Sequence, residues 1–98
     1  MAFLYIWEFS ETLVRDGTQV PKTPGIVQQT PVAISQTSAQ SAKFNAATSF
    51  IYITADEICS VNIGTNPTAT TSNFRLAQGA AYMFGVNAGD QIAVIANA

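Results

Sequence analysis

The sequence predicts an all-β protein: a single compact β-sandwich or barrel-like domain of about six to eight short strands, with an extended N-terminal segment. Apolar and polar residues alternate along most of the chain, which is the period of a strand with one buried face. From Phe44 onward, turn-forming residues recur about every eight to twelve residues, a spacing typical of sandwiches and barrels. No segment combines a sustained helical period with a helix cap, so we expect little helix.

The first predicted strand runs over Ala2–Phe9 and has two apolar faces. The residues on one face are aromatic: Phe3, Tyr5, Trp7 and Phe9. Leu4 and Ile6 fall on the other face, and Glu8 ends the run that is apolar on both sides. A strand of this kind lies either at the centre of a packed structure or in an interface.

Residues 12–29 are rich in Pro and Gly, which predicts turns and an irregular connection. The Asp16–Gly17 pair within this segment is suited to the tip of a hairpin, and Pro21 would keep such a strand at a sheet edge. We therefore divide the chain into an N-terminal strand and irregular arm, residues 1–31, and a sandwich body, residues 32–98.

The body contains short runs of β-branched and aromatic residues separated by turns, which favours strands. The predicted strands cover residues 32–34, 50–54, 58–63, 74–76, 81–86 and 91–96. Residues 36–41 are predicted to be a loop, and the longest polar loop covers residues 64–73. A turn at residues 87–90 places Gly89 where a positive φ is required.

The composition excludes several classes of site. The 98 residues include no His and one Cys, so the chain cannot build a zinc site of Cys/His type, an intrachain disulfide or a His-dependent catalytic triad. A formal net charge of -2 and a pI near 4.6 argue against a nucleic-acid partner. No apolar run reaches about 18 residues, and the N-terminus lacks the features of a signal peptide, so we expect no membrane partner and synthesis in the cytoplasm.

Charged residues make up only 10% of the chain, against about 25% in an average soluble domain. A free monomer normally keeps more surface charge for solubility. A Thr/Asn/Gln surface that is soluble enough would account for this composition. Burial of the neutral surface against other subunits would account for it as well, and we favour that interpretation.

No group of residues has a pattern suited to catalysis. Asp56 and Glu57 are adjacent in a turn and would point apart, so they are predicted to be solvated turn charges and not a catalytic pair. Cys59 occupies an apolar position in a strand and has no His to activate it, so it is predicted to lie in the core. We therefore predict no enzymatic activity, no metal and no cofactor.

Four residues are candidates for an interface: Phe3, Tyr5, Trp7 and Arg75. The aromatic residues could in principle stack nucleic-acid bases, but four basic residues are too few for an electrostatic groove, so a core or a subunit interface is favoured. Arg75 lies between Phe74 and Leu76 and points away from both. It is either a bidentate partner for a carboxylate, in this chain or a neighbour, or an ordinary outward-facing side chain.

The C-terminal part of the chain has a recognisable order of strands and turns. Its segments are SAKFN (41–45), FIYITADEICSV (50–61), GTNPTAT (64–70), FRLA (74–77), YMFGV (82–86) and GDQIAVI (89–95). This order resembles small proteins encoded among the virion structural genes of tailed bacteriophages, of the head decoration (cement) type. The resemblance begins at about residue 44 and supplies no catalytic residues.

The resemblance implies a non-enzymatic phage structural protein that binds the major capsid protein at the capsid surface and stabilises the head. It also implies self-association, as a homotrimer, and a location in the virion after synthesis in the host cytoplasm. Two alternatives stay open. One is a head–tail adaptor, neck or fibre-associated virion module, and the other is a small carbohydrate-binding β-sandwich in which Trp7, Tyr52 or Tyr82 stacks on sugar rings.

Overall fold

Residues 2–97, the part of the chain that the structure (a computed structural model) describes, form eleven β-strands and no helix, which confirms the predicted all-β class. The strands are β1 (Ala2–Phe9), β2 (Thr12–Arg15), β3 (Thr18–Pro21), β4 (Val27–Gln28), β5 (Val32–Ile34), β6 (Ala39–Gln40), β7 (Phe50–Ala55), β8 (Cys59–Gly64), β9 (Phe74–Leu76), β10 (Ala81–Gly85) and β11 (Gln91–Ala96).

The strands form a small β-sandwich with an added hairpin. One sheet has five strands in the order β10-β7-β1-β4, and β5 also pairs with β1. The second sheet has four strands in the order β6-β11-β8-β9, and β2 and β3 form a separate two-stranded ribbon. Every strand pair is antiparallel.

Strand β1 is central in the five-stranded sheet, one of the two positions that its apolar faces predicted. It pairs with β7 from Leu4 to Phe9 on one side. On the other side β5 pairs with its first half and β4 with its second half, through Trp7 opposite Gln28. Strand β1 therefore pairs with β4, which precedes residue 31, and with β5 and β7, which follow it. Residues 2–9 are thus part of the sandwich itself.

The core lies between the two sheets and is apolar. Leu4 and Ile6 of β1 and Ile51 and Ile53 of β7 supply its side chains from the five-stranded sheet, and all are at most 4% exposed. The four-stranded sheet contributes fully or nearly fully buried residues: Cys59, Val61, Leu76, Ile92 and Val94. Each large apolar side chain buried in this way stabilises the fold by about 1.5–3 kcal/mol. The predicted core position of Cys59 is confirmed.

The outer face of the four-stranded sheet is covered by the chain's own polar loop, residues 65–73. Ser60 and Ala93 point outward from their strands, yet both are completely buried. Amide side chains donate hydrogen bonds to loop carbonyl oxygens: Gln40 to Pro67 (2.7 Å), Asn62 to Thr68 (3.2 Å) and Asn97 to Thr71 (3.1 Å). The loop is therefore pinned against this face and buries its centre, whereas Arg75 at the margin stays exposed.

The structure differs from the prediction at its shortest strands. Val27–Gln28 and Ala39–Gln40 form β4 and β6 in segments predicted to be irregular and loop, because β1 and β11 present backbone groups to them. The Asp16–Gly17 hairpin tip is confirmed, with φ of 49° and 78° at the two turn residues. The total of eleven strands exceeds the expected six to eight because these short pairings and the hairpin are included.

Candidate binding surface

The outer side of the five-stranded sheet carries a group of large apolar side chains, which we call the aromatic face. Its members are Phe3, Tyr5, Trp7, Tyr52 and Met83. Trp7 lies directly opposite Tyr52 on β7, and Tyr52 lies opposite Met83 on β10, so three strands contribute one continuous row. Side chains opposite one another on the same face of a sheet are in contact distance.

The aromatic face is open to solvent, unlike the centre of the other sheet's outer face. Tyr5 is 41% exposed, Tyr52 38% and Met83 50%, and Phe3 and Trp7 are half-buried. Scattered apolar residues on a surface are normal, but a contiguous group is typical of an interaction site.

A groove of about 490 Å³ runs across this face. Its lining includes the rings of Tyr5, Trp7 and Tyr52 together with Gln28, Gln29 and Pro31. No charged side chain lines the groove, and the volume lies within the range of small-ligand sites. The groove therefore favours a neutral, largely apolar occupant.

Trp7 is held in place by close packing on two sides. Its ring centroid lies 4.8 Å from that of Phe9, and Phe9 in turn stacks on Phe50 at 5.2 Å with an interplanar angle of 11°. Gly25 approaches the indole so closely that a Cβ atom there would lie 2.6 Å from its Nε1 atom. The indole is thus oriented before any partner binds.

Gln29, which lines the groove, is held by Glu8, a residue that points into the protein and is only 1% exposed. Its Oε1 atom accepts hydrogen bonds from Asn45 N (2.8 Å) and Thr48 Oγ1 (2.6 Å). Its Oε2 atom accepts one from Gln29 Nε2 (2.8 Å), and Ala42 N donates to Gln29 Oε1 (3.1 Å). One carboxyl group therefore ties β1 to the segment after β4 and to the loop that precedes β7.

Sequence reasoning treated Glu8 only as the end of an apolar run and missed this role. The available signal was its position, since Glu8 shares the alternation of Leu4 and Ile6 and so points towards the core. A carboxyl group at a core position must find hydrogen-bond donors.

Tyr5 has a polar contact at the margin of the aromatic face. Its hydroxyl group donates to Asp56 Oδ2 at 3.3 Å. Desolvation of the phenol, followed by the charge of Asp56 and this hydrogen bond, raises the pKa of Tyr5 above its usual value. Tyr5 therefore presents a neutral ring at physiological pH.

Arg75 lies far from the other three interface candidates. It is an exposed residue of β9 in the four-stranded sheet, and its Nη2 atom donates to Asn97 O at 3.5 Å. Within residues 2–97 the one salt bridge joins Lys22 to Glu11, so Arg75 has no carboxylate partner there. The structure brings Phe3, Tyr5 and Trp7 onto one face and leaves Arg75 on the other sheet. The interface role of all four residues stays a prediction.

The three proposed sugar-stacking residues are also divided. Trp7 and Tyr52 are neighbours on the aromatic face, whereas Tyr82 turns to the opposite side of its sheet. There its ring stacks with Phe84 at 6.4 Å and meets Phe74 edge-on at 5.9 Å. Only the Trp7–Tyr52 pair could serve as a single stacking platform.

In the described part of the chain, no group of three or more His, Cys, Asp or Glu side chains could hold a metal ion. The same residues contain no helix of the length and hydrophobicity needed to cross a membrane. Comparisons with known protein families, curated proteins and solved structures found no match.

Proposed function

We propose that the chain is a non-enzymatic structural protein of a tailed-phage virion that binds the capsid surface through the aromatic face and stabilises the head. The observation that carries the proposal is the contrast between the two sheets. One outer face is covered by the chain's own loop, whereas the other presents Tyr, Trp, Phe and Met side chains to solvent. These residue types are the ones enriched in the cores of protein interfaces.

The composition of the aromatic face suits a stable contact. Tyr and Trp anchors in the centre of an interface are commonly worth about 2 kcal/mol or more each. The face contains no charge in its centre, so a partner need not desolvate one, and Asp56 lies at its margin beside Tyr5. Trp7 is already packed against Phe9 and Gly25, so its side chain loses little conformational freedom on binding.

A sedimentation assay with particles of the phage that encodes the chain tests this proposal. Trp7→Ala and Tyr52→Ala each remove an aromatic side chain from the face, and we expect binding at least about tenfold weaker. Thr68→Ala is the control because Thr68 is exposed in the polar loop over the other sheet, away from the face. Thermal unfolding of each variant separates loss of binding from loss of fold, and Trp7→Ala should weaken assembly more than folding.

Two results would refute a capsid-binding role for this face. One is a wild-type chain with no affinity for expanded capsids. The other is unchanged binding of both aromatic variants. Electron microscopy of the particle separates the head from the rest of the virion: density for the chain at the neck or tail would favour the adaptor or fibre-associated alternative.

A carbohydrate-binding role is the second candidate, favoured by the groove itself. Trp7 and Tyr52 form an adjacent aromatic pair, and Gln28 and Thr54 place an amide and a hydroxyl group beside them. Sugar rings present both apolar C–H groups and hydroxyl groups, which this lining matches. A glycan array decides the matter: sugar binding that Tyr52→Ala abolishes, without affinity for capsids, would select this candidate.

A further inference from the structure

Strand β10 forms an edge of the five-stranded sheet, and among residues 2–97 it has a strand partner only on its β7 side. In an antiparallel pair, alternate residues direct both backbone groups towards the same neighbour. Val86 N donates to Ser49 O at 3.0 Å, so Phe84 and Tyr82, two and four residues earlier, direct their backbone groups towards β7 as well. The backbone groups of the others point away from the sheet: Ala81, Met83 and Gly85.

This edge lacks the features that normally prevent strand pairing between molecules. Soluble proteins protect exposed edges with charged residues, Pro or bulges. Residues 76–89 contain no charged residue and no Pro. Apolar side chains also remain exposed along the strand and beside it, since Met83 is 50% exposed and Phe74 53%.

We propose that β10 pairs in antiparallel orientation with β10 of a second copy of this chain, across a two-fold axis at Met83. In that register Met83 lies opposite the second copy's Met83, and Ala81 lies opposite its Gly85. Every outward-directed backbone group then meets another outward-directed group. The paired five-stranded sheets become one continuous sheet, and the two aromatic faces lie on the same side of it.

The side chains of β10 match their own copies in this arrangement. On the core side, Tyr82 lies opposite the second copy's Phe84, and aromatic cross-strand pairs stabilise antiparallel sheets. Phe74 already meets the rings of Tyr82 and Phe84 edge-on, at 5.9 and 5.5 Å, and would extend this cluster across the contact. A second copy is therefore the occupant that the edge fits, because the strand is neutral and complementary to itself.

The hairpin lies close to the end of β10. Thr12 and Gln19 of the hairpin line a hollow of about 300 Å³ together with Phe50 of β7 and with Met83, Phe84 and Gly85 of β10. The second copy's Ala81, opposite Gly85, would therefore also lie near the hairpin.

The proposed contact is isologous and closes after two copies. A homotrimer, which the resemblance implies, needs two different surfaces that meet head to tail around a ring. Because β10 of one copy is complementary to β10 of another, we propose a dimer in place of the trimer. This contact uses the edge of the sheet and shares Met83 with the aromatic face, whereas Trp7 and Tyr52 lie on inner strands of the sheet.

Light scattering and sedimentation of the purified full chain test the contact. We expect a mass twice the 10.4 kDa of the chain. Met83→Lys and Met83→Glu each place two like charges opposite one another at the axis, which should raise the dissociation constant at least about tenfold. An equimolar mixture of the two variants should restore the dimer, because opposite charges then meet. Thr68→Lys, at an exposed site in the polar loop over the other sheet, should leave the dimer intact.

Several results would overturn the inference. A wild-type chain that stays monomeric at high concentration, or that forms a trimer, excludes the two-fold contact. A dimer unaffected by Met83→Lys places the contact elsewhere. Failure of the mixture to recover dimers shows that residue 83 does not lie opposite itself, whereas recovery also shows that both variants are folded.

Discussion

Replacing Glu8 with Gln should destabilise the protein although the two side chains have nearly the same shape. The carboxyl oxygens of Glu8 accept three hydrogen bonds, from Gln29 Nε2, Asn45 N and Thr48 Oγ1. A Gln side chain offers one oxygen and one NH₂ group, so at least one donor must then face another donor. Gln29 cannot reverse its amide to compensate, because Ala42 N and Ala42 O already hold its two ends at 3.1 and 3.3 Å.

The size of the effect follows from these contacts. A buried donor left without a partner costs about 1–3 kcal/mol, and hydrogen bonds to a neutral acceptor are weaker than those to a charged one. The neutral Gln side chain also avoids the cost of burying a carboxylate without a cation, and this contribution favours the variant. We expect the hydrogen-bond loss to dominate, and the free energy of unfolding to fall by about 2 kcal/mol. For a domain of this size that corresponds to about 10 °C in melting temperature.

Thermal and urea unfolding followed by circular dichroism would measure this change. The matched control is Glu11→Gln, which removes a carboxylate from the exposed salt bridge with Lys22 (2.7 Å). Exposed pairs contribute about 0–1 kcal/mol, so this control should unfold nearly as the wild type does. A Glu8→Gln variant at least as stable as the wild type would show that the cost of burying the charge exceeds the stabilisation from its three hydrogen bonds.

Two further predictions concern Cys59 and Gly25. Burial, with a smaller contribution from the charge of Glu57, raises the pKa of the Cys59 thiol to about 11, so a thiol reagent at pH 8 should react only after unfolding. Because this pKa lies above the usual 9.0, the thiol loses its proton at a lower pH in the unfolded state than in the folded state. The free energy of unfolding should therefore decline between about pH 9 and 11. The decline should be smaller in Cys59→Ala, which has no thiol. Gly25→Ala would place a Cβ atom 2.6 Å from Trp7 Nε1 and 2.7 Å from the Glu8 carbonyl oxygen, so we expect a loss of about 1–3 kcal/mol, and an unchanged melting temperature would contradict the close approach.

The aromatic face shows how far the sequence alone can define a candidate site. Strand periodicity was sufficient to place Phe3, Tyr5 and Trp7 on one side of β1, because successive side chains in a strand point to opposite faces. It could not add Tyr52 and Met83 to them. Their position depends on which residues of three separate strands lie opposite one another, and that register is set by contacts between distant parts of the chain.

The exposure of the face was also beyond the sequence. Both ends of β1 look alike in composition, yet Phe9 is only 1% exposed because Phe50 and Trp7 pack around it, whereas Tyr5 remains open. Likewise the polar loop at residues 65–73 gave no indication that it would cover the other sheet. Burial of this kind depends on how loops fold back on the sheets.

Local patterns by themselves determined the all-β class, most of the strands, the hairpin tip at Asp16–Gly17 and the core position of Cys59, since each follows from the period of side chains or from the backbone that a turn requires. Only the tertiary structure decided the central place of β1, the three donors that surround Glu8 and the position of β10 at the edge of its sheet. These features arise where segments distant in sequence meet, and a one-dimensional pattern contains the preferences of each segment but not the choice of its neighbours.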